Sequence, residues 1–152
     1  MPADETLSSA VAAHVKDSFS RQGLMKHLGA QITVLKNGFC RICVLYRSEL
    51  TQQHGYFHAG VTSALVDTAG GYAALSTFDA VDSVLTVDFT VNLLAPARGT
   101  RLLAEAHVVR SGRTLTVCRL EAYTESAHGQ GTHIATGSQT LIRLAETSDS
   151  SG

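Results

Sequence analysis

The sequence of 152 residues contains no tryptophan, only two prolines and three cysteines, and few charged residues. No apolar run approaches the ~20 residues that a membrane helix needs, which excludes a membrane-spanning protein. The net charge is −1, so the charge balance favours neither nucleic acid nor an anionic membrane. The first residues lack the basic and apolar segments of a secretory signal, and we therefore expect a cytoplasmic protein. Charged residues make up 16%, below the usual ~25%, which indicates that part of the surface is covered, for example between subunits.

The three cysteines, Cys40, Cys43 and Cys118, cannot all pair in disulfides. Cys40 and Cys43 have a C-x-x-C spacing, but residues 39–46 are β-branched and aromatic, which predicts a strand. Residues three apart on a strand point to opposite faces, so a shared zinc ion or redox disulfide is not expected. The cysteines and the central histidines also lack the spacing of metal ligands. We therefore expect no metal and no redox cofactor.

The apolar pattern predicts one domain of the α+β class over residues 1–152, with frayed ends at about 1–5 and 146–152. The last four predicted strands are expected to form an antiparallel meander. In the first of these strands apolar and polar residues alternate, which predicts Thr86 on the polar face with Asp88, Thr90 and Asn92. The predicted elements are a helix over 4–20 that stops at Gly23, a hairpin of 30–35 and 39–46, an irregular segment over 47–57, a helix over 58–77, and strands over 83–94, 100–110, 114–124 and 132–144.

The second predicted helix is apolar on all sides, which is typical of a buried helix. Asp67 lies in its middle, and residues 48–97 contain no lysine or arginine. A buried carboxylate without a cation is costly to ionise, and such groups are candidates for a general base or nucleophile. The alternative is that Asp67 belongs to a structural polar network or an exposed strip. Gly70 and Gly71 predict a close approach of a neighbouring backbone.

His58, Ala59 and Gly60 lie at the predicted start of this helix. The first N–H groups of a helix have no intrahelical partner and the helix dipole favours negative charge, so they can stabilise an oxyanion. An alternative role for His58 is that of a helix cap. Asp67 lies roughly 10 Å or more along the helix axis from this point, so one helix does not easily supply both groups to one carbonyl. A symmetric dimer would bring the helix start of one protomer opposite Asp67 of the other.

Arginines are concentrated between residues 96 and 119, where five of them accompany a single acid. Arg110 and Arg113 flank Gly112 in a predicted hairpin, where their guanidinium groups could bind phosphates. The alternative is that these arginines only protect a solvent-exposed strand edge from aggregation.

The segment HAGVTSALVDTAGGYAA, which begins at His58, resembles the H-G-G-x-x-x-x-L-x-D pattern of the PaaI-like (phenylacetate-pathway-type) hotdog-fold acyl-CoA thioesterases. The resemblance continues through residues 85–99 and 109–114 and covers about 28–144. It implies a hotdog fold, in which a long central helix is wrapped by an antiparallel sheet, here with an extra N-terminal helix.

The resemblance implies hydrolysis of an aryl- or medium-chain acyl-CoA to the free acid and CoA. Asp67 matches the carboxylate that activates water or attacks the thioester. Ala59 replaces a glycine of the family pattern and matches the oxyanion-hole N–H, with His58 supporting the loop. Gln52 stands where the family often has asparagine, and Thr86 matches the hydroxyl residue that often orients water.

The substrate is expected to contact Gly60 and Tyr72, with its phosphates at Arg110, Gly112 and Arg113. CoA is part of the substrate, so no cofactor is implied. The family forms homodimers with two interfacial sites, commonly paired into homotetramers. Two alternatives stay open: a hotdog dehydratase or hydratase acting on enoyl or hydroxyacyl thioesters, and a non-catalytic acyl-CoA-binding protein. Neither nucleic acid nor a membrane is an expected partner.

Overall fold

The computed structural model describes residues 6–146. The ends predicted to be frayed lie outside this range, apart from Glu146. None of the helices within the described residues has the length and apolar character required to span a membrane. The elements in chain order are helices α1 (Ser9–Ser20) and α2 (Gly23–Leu28), strands β1 (Gln31–Lys36) and β2 (Phe39–Leu45), a 3-10 turn (Ser48–Leu50), helix α3 (Ala59–Leu75), and strands β3 (Ser83–Leu93), β4 (Arg101–Ser111), β5 (Leu115–Glu125) and β6 (Gly131–Leu144).

The six strands form one antiparallel sheet in the order β1-β2-β4-β5-β6-β3, and α3 packs against one face of it. This confirms the predicted hotdog fold with its N-terminal helix. The predicted four-strand meander is wrong in one respect, because β3 pairs with β6 and not with β4. The place beside β4 is taken by β2, whose inward residues Ile42 and Val44 are buried with the core. β3 therefore lies at the edge of the sheet.

The N-terminal region differs from the prediction at both of its boundaries. α1 begins at Ser9, because the Ser8 side chain accepts a hydrogen bond from the Val11 N–H (3.2 Å) and caps the helix there, so residues 6–8 of the predicted helix precede it. Residues 4 and 5 of the predicted helix lie outside the described residues. Gly23 was expected to stop a helix, but it begins the short helix α2. A buried residue of α2, Met25, anchors this second helix to the core.

A β-bulge divides β3 and changes which residues face α3. The pairing of β3 with β6 shifts between Thr86 and Asp88, which adds one residue to β3. Strict alternation would place Thr86 on the same face as Asp88, and that prediction is wrong. Thr86 pairs with buried Leu141 and Phe89 pairs with buried Gln139, so both Thr86 and Phe89 belong to the α3 face. The bulge thus turns the Thr86 hydroxyl toward the central helix.

All three cysteines are buried free thiols. Cys40 and Cys118 belong to the hydrophobic core, and burial raises the pKa of each thiol to about 12. Burial also raises the pKa of Cys43. Within residues 6–146, no group of three histidine, cysteine or acidic side chains is arranged to hold a metal ion.

Candidate active site

The start of α3 is shaped by contacts between near neighbours. His58 is the N-cap residue in an extended conformation, and its Nδ1 accepts a hydrogen bond from the Gly60 N–H (2.8 Å). Glycine is needed here because a Cβ at position 60 would lie 2.9 Å from that Nδ1. His58 therefore caps the helix, as the alternative interpretation proposed. The Gly60 N–H is occupied, whereas the Ala59 N–H has no partner among the described residues. No non-glycine residue in the described chain has positive φ, so alanine fits at position 59.

Gln52 organises the loop that leads into α3. Its Oε1 accepts hydrogen bonds from the His54 N–H (2.5 Å) and the Tyr56 N–H (3.4 Å). The backbone N–H of Gln52 also donates to the Tyr56 carbonyl oxygen (2.9 Å). The Gln52 side chain therefore holds the loop in shape directly before the helix start.

A cavity of about 490 Å³ opens beside the start of α3. Most of its wall is apolar, and Gln52 and Ala59 both contribute to it. The Thr62 hydroxyl, which is buried in this wall, has no hydrogen-bond partner within residues 6–146. The lining residues are Gln52, Tyr56, Phe57, Ala59, Thr62, Leu93, Leu94, Ala95, Pro96, Ala97 and Ile134.

Asp67 lies two turns further along α3, is half-buried, and is held by one side chain from each of the neighbouring strands β3 and β6. The Thr86 hydroxyl donates to Asp67 Oδ1 (2.7 Å), and Gln139 Nε2 donates to the same oxygen (2.7 Å). Both predicted residues, Asp67 and Thr86, are thus in direct contact. Sequence reasoning missed Gln139. The sequence feature that could have indicated it is a glutamine in the predicted strand 132–144, at a position that alternation places on the same face as the buried residues Ala135 and Leu141.

A second cavity, of about 330 Å³, opens beside Asp67 and reaches α1. Tyr72 forms part of its wall, and its hydroxyl accepts a hydrogen bond from Gln22 Nε2 (2.8 Å) and lies 3.1 Å from Ser18 Oγ. Burial raises the pKa of Tyr72. The lining residues are His14, Ser18, Arg21, Gln22, Asp67, Thr68, Gly71, Tyr72, Leu75, Asp82, Ser83, Val84, Leu85, Thr86 and Leu141.

Within one chain, the predicted site residues form separate groups. The helix start and Asp67 open into different cavities, eight residues or ~12 Å apart along α3. The hairpin with Arg110, Gly112 and Arg113 is exposed and lines neither cavity. It lies near the other end of α3, where Ser111 Oγ is 3.2 Å from Thr77 Oγ1.

Comparison with known proteins agrees with this fold. Residues 54–129 match the Thioesterase superfamily model. A protein of Halobacterium salinarum named as a candidate esterase is 34% identical over 133 residues, which cover 83% of this chain and 87% of that protein. The chain belongs to the thioesterase superfamily.

Solved structures extend the comparison. A thioesterase family protein from Silicibacter pomeroyi is 46% identical and superposes with a TM-score of 0.86, covering 90% of this chain and 99% of that one. The E. coli PaaI protein from the phenylacetic acid degradation operon, 22% identical, has the same fold with a TM-score of 0.80, covering 93% and 99%. This thioesterase-superfamily chain therefore shares the hotdog fold of the PaaI protein.

Proposed function

We propose that this protein is an acyl-CoA thioesterase that hydrolyses an aryl- or medium-chain acyl-CoA to the free acid and CoA. The observation that carries the proposal is the Asp67 carboxylate, which is held by Thr86 and Gln139 and lines a cavity in a thioesterase-superfamily fold. Most of α3 is apolar and buried, so this carboxylate is the exceptional group on the helix. A carboxylate beside a cavity is suited to proton abstraction or nucleophilic attack.

Two routes lead from Asp67 to the same products. As a general base, the carboxylate takes a proton from a water molecule while the water oxygen attacks the thioester carbonyl. As a nucleophile, a carboxylate oxygen attacks that carbon itself and forms a mixed anhydride, which water then cleaves. In both routes the carbonyl oxygen becomes an oxyanion, for which the Ala59 N–H is the proposed donor. Collapse of the tetrahedral intermediate breaks the C–S bond and releases the CoA thiolate, which takes up a proton.

A two-fold dimer would bring the two groups together. β3 is an edge strand whose outer edge has no partner within residues 6–146, and Leu85, Val87, Phe89 and Leu93 on it are 41–58% exposed. An unpaired apolar edge of this kind favours pairing with a second strand. If two copies of β3 pair antiparallel, the Thr86 end of one lies beside the Leu93 end of the other. Thr86 borders the Asp67 cavity and Leu93 borders the Ala59 cavity, so each composite site would take one cavity from each protomer.

The remaining groups have proposed roles in substrate binding. The cavity beside Asp67 would hold the acyl group, with Tyr72 and the side chains of α1 at its far wall. Arg110 and Arg113, exposed on the β4–β5 hairpin, would bind the phosphates of CoA. No cofactor is required, because water is the second reactant and CoA enters as part of the substrate.

The first experiment is thiol release from a panel of aryl- and alkyl-CoA thioesters, comparing the wild type with Asp67→Asn. We expect Asp67→Asn to lower kcat/KM at least about 100-fold because the base or nucleophile is lost. Glu146→Gln, which removes an exposed carboxylate after β6, is the matched control and should retain activity. Circular dichroism would verify that both variants fold.

Negligible turnover by the wild type on every thioester would contradict the hydrolase. Hydration assays with enoyl thioesters and acyl-CoA binding measurements would then distinguish a dehydratase from a binding protein.

A further inference from the structure

Gln139 is a polar side chain in the interior of the protein. It lies on β6, is 1% exposed, and stands two positions before the fully buried Leu141. Burying a side-chain amide costs free energy unless its polar atoms are hydrogen-bonded. A leucine or methionine would fill this position without that cost, so the presence of an amide here calls for an explanation.

The nitrogen of the amide makes all of its hydrogen bonds. Nε2 lies 2.7 Å from Asp67 Oδ1, 3.1 Å from the Asp67 carbonyl oxygen and 2.8 Å from Thr86 Oγ1. A carboxylate and a carbonyl only accept, so the NH2 group must face them, and this fixes the orientation of the amide. With the bond from the Thr86 hydroxyl, Oδ1 receives two hydrogen bonds. Asp67 Oδ2 has no hydrogen-bond partner within residues 6–146.

The oxygen of the same amide is unsatisfied. Gln139 Oε1 is buried and has no hydrogen-bond partner among the described residues. It lies against Gly70, where a Cβ would be 1.6 Å from Oε1 and 2.7 Å from Cδ. Gly70 is three residues after Asp67 and therefore on the same face of α3. A glycine inside a helix and an unpaired buried oxygen both lower stability. The glycine and the unpaired oxygen lie against each other, and this arrangement allows the amide to reach Asp67.

We propose that Gln139 is a positioning residue for the reaction at Asp67, and that Gly70 provides the space for it. This inference rests on the proposed function. Two hydrogen bonds hold Oδ1, so Oδ2 is the oxygen that abstracts the proton or attacks the thioester. Gln139 is fully buried and acts through Asp67, without touching the substrate. Because an amide does not titrate, Gln139 keeps its N–H donors at every working pH.

The central variant is Gln139→Met, which keeps the length of the side chain and removes its N–H groups. We expect kcat to fall about 10- to 100-fold, the range for loss of a hydrogen bond to a charged group. KM should change less than about threefold and the unfolding temperature should not fall, because an unpaired oxygen is removed as well. A merely structural role would give the opposite result, a lower unfolding temperature with kcat per folded molecule unchanged.

The second variant, Gln139→Glu, keeps the shape and adds a titrating group. Two carboxyl groups that share a site do not both ionise readily. The acidic limb of the kcat/KM profile should therefore move to higher pH than in the wild type. A profile that superposes on the wild-type one would overturn the proposal, as would full kcat in Gln139→Met.

The third variant, Gly70→Ala, displaces the amide while Asp67, Thr86 and Gln139 themselves stay unchanged. It should lower kcat as Gln139→Met does. Adding Gly70→Ala to Gln139→Ala should then lower kcat little further, because the amide that Gly70→Ala would displace is already absent. Fully additive losses would contradict the coupling.

Failure of the thioesterase proposal can be distinguished from failure of the positioning proposal. If the wild type hydrolyses no thioester, the thioesterase proposal fails, and crystal structures of the wild type and Gly70→Ala decide the positioning claim. A rotated Asp67 carboxylate in Gly70→Ala supports it. A carboxylate in the wild-type orientation, with the amide displaced, overturns it.

Discussion

The two parts of the proposed site are built by contacts of very different range. At the start of α3, His58 caps the first turn and Gln52 binds amides of its own loop, with partners two to four residues apart. In the middle of the same helix, Asp67 is held by Thr86 and Gln139, which are 19 and 72 residues away in the sequence. The first part is a product of local structure, and the second exists only when the sheet is assembled.

The two parts also present different chemical groups. The helix start offers a backbone N–H, so the side chain at position 59 can change as long as the N–H is kept. The middle of the helix offers a carboxylate, so the side chain at position 67 and its two partners decide the chemistry. The comparison therefore predicts opposite tolerance to substitution at Ala59 and Asp67, and the first experiment below tests this at Ala59.

The largest effect is expected for Ala59→Pro. Proline is favoured at the first helical position and lacks the N–H, and His58 already has the extended conformation (φ −64°, ψ 137°) that precedes proline. The helix should form while kcat falls roughly 10²- to 10³-fold, the effect of losing one oxyanion donor. Ala59→Gly keeps the N–H and should stay active. Steady-state thiol release measures both, and equal activity of the two variants would contradict the role of the N–H.

The next experiment tests whether the two parts meet across a dimer interface. Ala59→Pro and Asp67→Asn, each nearly inactive, are unfolded together and refolded as a mixture. In a mixed dimer one of the two composite sites has both groups intact, so the mixture should regain about one quarter of wild-type activity. If each chain builds its own site, the mixture will be as inactive as its components. A mixture of Asp67→Asn with itself, treated in the same way, is the control.

A smaller effect is expected at the arginine hairpin. Replacing Arg110 and Arg113 by glutamine should raise KM for CoA thioesters about 10-fold with little change in kcat, because charge-assisted contacts to phosphate are lost. KM for an N-acetylcysteamine thioester, which lacks the phosphates, should not change. Arg119→Gln removes an exposed charge from β5 and serves as control. An equal rise in KM for both thioesters would exclude phosphate binding by the pair.

The smallest effect is expected on the pH dependence of stability, through the buried cysteines of the core. Burial raises the pKa of Cys40 and Cys118 to about 12 from an ordinary 9.0, so the folded state favours the neutral thiol. This stabilisation is fully present below about pH 9 and is lost as the pH rises toward 12. The free energy of unfolding should therefore fall with pH above 9, with a smaller slope in Cys40→Ala. Equal slopes, or rapid labelling of Cys40 in the native protein at pH 8, would contradict the burial argument.

Much of the fold could be predicted from the sequence because its signals are local. The Asn37-Gly38 turn lies where the β1–β2 hairpin was predicted, and the all-round apolar pattern correctly indicated a buried helix with a carboxylate inside it. Gly70 was predicted to face a neighbouring element, but the neighbour is the Gln139 side chain and not a backbone. A Cβ at Gly71 would meet no atom within 4 Å, so the same expectation is wrong there.

The remaining errors arise where long-range pairing outweighs local pattern. Alternation alone assigned Thr86 to the wrong face, because a single extra residue in β3 reverses the phase of the strand. The sequence pattern also did not predict the order of the strands, because the connection after β3 crosses from the edge to the centre of the sheet. Gln139 was missed for the same reason. The role of a polar residue in a strand depends on the element that packs against it, and the sequence pattern does not show that element.

The sequence by itself determined the helices and strands other than α2, the capped start of α3 and the position of Asp67, because turns, caps and hydrophobic periodicity depend on residues close together in the chain. The tertiary structure decided which oxygen of Asp67 is held and by which side chains. The β3 bulge, the pairing of β3 with β6 and the space at Gly70 bring Thr86 and Gln139 to the carboxylate. These contacts join residues far apart in sequence, and only the packing of the sheet against α3 makes them neighbours.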